Sequence, residues 1–124
     1  MTAMIALAFG ASLVAMTPRP VEISMAGQTG EAQKLSDGIR SAFQQSPHFV
    51  LGTDHRRGTL YVYIPVKVGA RLVGKRVEYS TELELSQAAP NSPERLSSVV
   101  NVTCWEDDIV ACGRSVLAKA ERFP

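Results

Sequence analysis

The chain has 124 residues, 45% of them hydrophobic and 20% charged, with a formal net charge of +1. That length supports one domain with one modest core, and that composition excludes a chain disordered through most of its length. A charge so near neutral provides no field for nucleic acid or an anionic membrane, and a 6% aromatic content with a single Trp excludes a base-stacking platform.

Residues 3–16 (AMIALAFGASLVAM) are almost wholly apolar until Thr17-Pro18-Arg19-Pro20 breaks the run. The run is shorter than the roughly 20 residues that span a bilayer, and it has the length of the apolar core of a secretory signal. No Lys or Arg precedes it, so the basic part of such a signal is missing. The competing reading is a buried amino-terminal helix or strand. We read residues 1–19 as a signal-like leader with no stable membrane span, and residues 20–124 as a single domain.

Residues 21–25 alternate apolar and polar, which predicts a strand with Val21, Ile23 and Met25 inward. A turn over 26–30 follows, with Thr29 placed to cap a helix and Glu31 in its first turn. From Glu31 to about Gln45, the residues Ala32, Leu35, Ile39, Ala42 and Phe43 recur at helical spacing. Gly38 costs that helix about 1 kcal/mol relative to Ala, which suggests a close approach to the sheet. Ser46-Pro47 ends it.

Phe49-Val50-Leu51 predicts a second strand, and residues 52–58 a polar turn. In residues 60–68, Leu60, Val62, Ile64, Val66 and Val68 share one face, and Tyr61, Tyr63, Pro65 and Lys67 share the other. In residues 76–86, Val77, Tyr79, Thr81, Leu83 and Leu85 alternate with Glu78, Ser80, Glu82 and Glu84. Two such strands joined through residues 69–75 predict a hairpin, whose outer face sets Tyr and Lys against Glu. Pro65 has no N–H to donate, so an edge or a bulge is expected there. A polar loop over 87–94 leads to a strand over 99–104 and a turn over 105–108. Asp107 or Asp108 is expected to cap a last helix with Ile109, Cys112, Val116, Leu117 and Ala120 inward.

Cys104 and Cys112 are the only cysteines, and their spacing is neither a redox CxxC nor a zinc pattern. Cys104 ends a strand on its core face, and Cys112 lies one turn into the next helix on its core face. A tight strand-to-helix turn brings the two within bridging reach. A disulfide together with a leader points to an oxidising compartment, periplasmic or secreted.

The predicted order is β-α-β-β-β-β-α. Two helices on one face of a mainly antiparallel sheet of four to five strands make an α+β fold. This layout resembles the amino-terminal domain of TolB and related modules of periplasmic lipoproteins, over residues 21–123. The resemblance lies in element order and compartment, and no motif carries it. It implies action by protein contact in the cell envelope and assigns no functional residue.

His48 and His55 are the only histidines. Asp54 adjoins His55, but neighbours on a turn point in different directions, and no nucleophile motif such as GxSxG is present. A small periplasmic hydrolase or ligand-binding protein would need His55, Asp54 and Glu106 to converge in one pocket. Glu106-Asp107-Asp108 lacks the spacing of a calcium loop, and Glu78, Glu82 and Glu84 read as a solvated strand face rather than a glycosidase pair. No catalytic residue, metal or cofactor is therefore expected. The candidate binding residues are Tyr61 and Tyr63, as exposed hairpin aromatics, and Arg56 and Arg57 on the preceding turn. Together they predict an exported, non-enzymatic protein whose partner is another envelope protein; an inhibitor of an enzyme would be one form of this. The oligomeric state is left open.

Overall fold

In the computed structural model the elements follow as β1 (Arg19–Met25), α1 (Gly30–Gln44), β2 (Phe49–Leu51), β3 (Leu60–Ile64), β4 (Gly69–Val73), β5 (Arg76–Ser86), β6 (Ser97–Trp105), a 3-10 turn (Glu106–Asp108) and α2 (Val110–Ala120). The structure describes residues 17–27, 29–65, 67–87 and 96–124. Most of the expected leader, the residue Val66 and most of the loop after β5 lie outside these residues; Arg19, placed at the end of the leader, opens β1.

The strands form one mixed sheet in the order β2-β1-β3-β5, with β4 and β6 also paired to β5. β1 runs parallel to β2 and β3, while β3, β4 and β6 all run antiparallel to β5. The parallel pair β1 and β2 needs a crossover, and α1 supplies it. Val21, Ile23, Leu60, Val62, Ile64, Leu83, Leu85, Val100 and Val102 form the inward sheet face, packed against Leu35, Ile39 and Phe43 of α1 and Cys112, Val116 and Ala120 of α2. The architecture is thus the expected α+β sandwich, with six strands among the described residues.

The sixth strand comes from a corrected turn. Residues 69–75 are not a loop: Gly69–Val73 pairs with Arg76–Ser80 of β5, and only Gly74 and Lys75 turn the chain. Gly74 has φ +64°, as a two-residue hairpin turn with glycine at its first central position requires. The first hairpin strand correspondingly stops at Ile64. β3 is then an interior strand between β1 and β5.

α1 starts as its sequence suggests, with Thr29 Oγ1 accepting a hydrogen bond from the Ala32 N–H at 3.1 Å. Gly38, however, meets the other helix rather than the sheet. A Cβ there would lie 2.8 Å from the Ile109 carbonyl oxygen, and a Cβ at Gly113 would lie 2.3 Å from that of Gly38. The two glycines let the helix backbones touch. α2 begins after the 3-10 turn with no side-chain cap, so Asp107 and Asp108 do not have the capping role expected of them. The Cys104–Cys112 disulfide is formed, with Cα atoms 5.5 Å apart and both residues buried. It ties the end of β6 to the first turn of α2.

Candidate functional site

Both helices cover one face of the sheet, and no described element covers the other. Strand alternation places Glu22, Tyr61, Tyr63, Glu82, Val99 and Asn101 on this open face, because their neighbours Val21, Val62, Leu83 and Val100 are core.

At one end, Glu22 of β1 lies beside Tyr61 of β3 in register. The β2–β3 loop folds over them. His55 adopts φ +52°, a left-handed conformation for which His is one of the more tolerant side chains. Its ring stacks on Tyr61, with centroids 6.1 Å apart. His55 Nδ1 stands 3.0 Å from Glu22 Oε2 and 3.5 Å from the Tyr61 hydroxyl. The Glu22 contact is close but does not have hydrogen-bond geometry, and Glu22 Oε2 is buried beneath the ring. Burial, and then the Glu22 charge, push the Tyr61 phenol upward in pKa.

This arrangement changes the expected binding set. Tyr61 was placed on an exposed hairpin face, yet it is only 8% exposed because β1 flanks it and His55 lies over it. Tyr63 is half-buried on the same face. Arg56 and Arg57 are exposed on the loop, as expected; Arg56 pairs with Asp54 at 3.0 Å.

The middle of the face carries a feature that sequence periodicity does not show. Tyr63 pairs with Glu84 and Gly69 with Ser80. Between these pairs the described residues Pro65, Lys67 and Val68 leave a break in the ladder to β5. Thr81 Oγ1 reaches across it to donate to the Lys67 carbonyl at 3.1 Å. The result is an open groove of about 510 Å³ lined by residues including Pro65, Lys67, Glu82, Asn101 and Thr103. A smaller depression of about 220 Å³ between Tyr63, Glu82 and Val99 adjoins it, with Pro65 and Glu82 common to both. The one sequence signal for this was Pro65.

The groups a hydrolase would require do not converge. Asp54 pairs with Arg56, and His55 with Glu22. Glu106 lies elsewhere, accepting hydrogen bonds from the Tyr79 hydroxyl at 2.6 Å and from Lys34 Nζ at 3.0 Å. Those two bonds, Tyr79 first, hold the Glu106 carboxyl below its ordinary pKa. Asp107 takes two bonds from Arg76, at 3.0 and 2.6 Å, and its pKa is lowered by them. The Arg76 guanidinium also lies 4.2 Å over the Trp105 ring. Among the described residues, no cluster of three or more His, Cys, Asp or Glu side chains is placed to hold a metal ion. No described helix is long and apolar enough to cross a membrane.

No family model matches the chain, and no curated protein matches it significantly. Among solved structures, it is similar to a minor lipoprotein from Acinetobacter baumannii, with 11% identity over 88% of this chain and 96% of that one, and a TM-score of 0.46. A likeness of that degree carries no functional weight.

Proposed function

We propose that this chain is an exported cell-envelope protein that binds another protein through its uncovered sheet face, with no chemistry of its own. The observation that carries the reading is the groove opened at Pro65. It is flanked by the Tyr63 ring and by Val99, which is 62% exposed, on a face that no described element covers. An exposed surface with aromatic and aliphatic side chains beside a backbone gap favours a protein partner over a small ligand, which needs enclosure. Glu82 and Lys67 in the groove, with Arg57 exposed on the β2–β3 loop, call for a partner that presents charges of both signs. Tyr61 belongs to this surface as a support under His55 rather than as a contact. The buried disulfide supports an oxidising compartment, periplasmic or secreted.

Site-specific photocrosslinking tests the surface. Tyr63→p-benzoylphenylalanine and Val99→p-benzoylphenylalanine, expressed in the native envelope, are expected to give one discrete adduct with a polypeptide other than this chain. The same label at Gln44, exposed on α1, serves as control. Open-face labels that give nothing beyond the Gln44 background would overturn the assignment.

A further inference from the structure

The geometry points to a second interaction surface, bordering the open face: the edge of β6 that no described strand pairs, which pairs with β6 of a second copy of this chain. Among the described residues, β6 is joined to the sheet only through β5. The Gln87 N–H donates to the Leu96 carbonyl at 3.0 Å, so Leu96 and every second residue after it turn their backbone groups toward β5. Ser97, Val99, Asn101, Thr103 and Trp105 therefore direct their N–H and C=O groups outward.

Edge strands in soluble proteins are usually kept short, or carry charge or proline, to prevent such pairing. The other two edges obey this rule: β2 has three residues, and β4 carries Arg71. β6 does not. It is nine residues long, with the sequence SSVVNVTCW and no charged residue or proline.

The occupant follows from symmetry and charge. An uncharged strand can pair antiparallel with its own copy without setting like charges opposite one another. The two-fold axis then passes between the two copies of Asn101, with Val99 opposite Thr103 and Ser97 opposite Trp105. In this register the first half of one β6 lies against the end of the other. A groove of about 650 Å³ beside residues 97–101 is lined by the basic side chains of Lys119 and Arg122. The end of β6 continues into the acidic turn Glu106–Asp108, where Asp108 meets Arg114 only at 3.8 Å. Glu106 and Asp107 are already held by Lys34 and Arg76 of their own chain, so each basic groove meets the partner copy's turn at Asp108, twice per dimer. The product is one continuous sheet with the helices of both copies on the same face.

Asn101 supplies the test, because it is exposed in the monomer and opposes itself in the dimer. Light scattering coupled to size exclusion is expected to give a dimer mass for the native chain, weakening with salt. Asn101→Lys and Asn101→Asp, each alone, are expected to be monomeric, and an equal mixture of the two to regain the dimer mass. A native chain that is monomeric up to its solubility limit would overturn the proposal, as would a dimer that both variants preserve. Amide hydrogen exchange in the native chain gives a check free of substitution. Protection of Val99, Asn101 and Thr103 should rise at least tenfold with concentration; fast exchange at every concentration would equally overturn it.

Discussion

Glu106 joins three elements with one carboxylate: it accepts from Tyr79 of β5 and Lys34 of α1 while lying in the turn that ends β6. In the sequence, Tyr79 reads as an inward strand residue, and Glu106 as part of an acidic turn and a candidate for a hydrolase pocket with His55 and Asp54. A phenol buried to 3% exposure must still find an acceptor for its proton, and the partner lies 27 residues away. The linkage follows from the directions of the shifts. Glu106 and Asp107 are held below their ordinary pKa, so their contribution is present above the usual carboxylate range, about pH 4, and is lost as pH falls through the lowered values. Tyr79 is pushed up, by burial first and Glu106 second, so its contribution is lost as pH rises past about 10. Thermal melts should therefore show a plateau between about pH 5 and 9. Glu106→Gln should flatten the acid limb; an acid limb of unchanged slope would remove Glu106 from this account.

At the scale of elements, the contact between α1 and α2 rests on missing side chains. Gly113→Ala would drive a methyl into the Gly38 carbonyl, against backbone that cannot step aside. Such overpacking should cost about 2–3 kcal/mol in urea denaturation. Gly30→Ala, whose added Cβ meets nothing within 4 Å, should be neutral or slightly stabilising. Equal effects of the two substitutions would mean that the helices do not meet through this pair. The sequence marks Gly38 as unusual in a helix and points to the sheet as its neighbour, where the structure has the start of α2. The break at Pro65 has the same character. Proline announced that the ladder would fail there, yet alternation through residues 60–68 continues unbroken, so nothing local distinguishes one bowed strand from two short ones.

For the whole molecule, the disulfide is the one covalent cross-link, joining residues 8 apart in sequence, and it is legible from two cysteines on the core faces of successive elements. Replacing both, as Cys104→Ala with Cys112→Ala, should lower unfolding stability by about 2–3 kcal/mol on the chain-entropy account. That is a sizeable share of the 5–15 kcal/mol typical of a domain. Reductant should do the same to the native chain and nothing to the double variant, as read by denaturation with and without dithiothreitol. A native chain indifferent to reductant would show that the bridge adds nothing.

What the sequence alone determined is what side-chain periodicity encodes. Leu60, Val62 and Ile64 at period two, Leu35 and Ile39 at period near four, and Thr29 before the helix each report a local conformation and an inward face. Those repeats sufficed for the α+β class, the limits of α1 and the inward positions of β1 and of β3 up to Ile64. Tertiary structure alone decided who the neighbours are. It buried Tyr61 by laying β1 beside β3 and His55 above them, brought Gly113 onto Gly38, and left the uncharged β6 at an edge. Period-two alternation is the same for an interior strand and an edge strand, and only the pairing of segments far apart in the chain tells them apart.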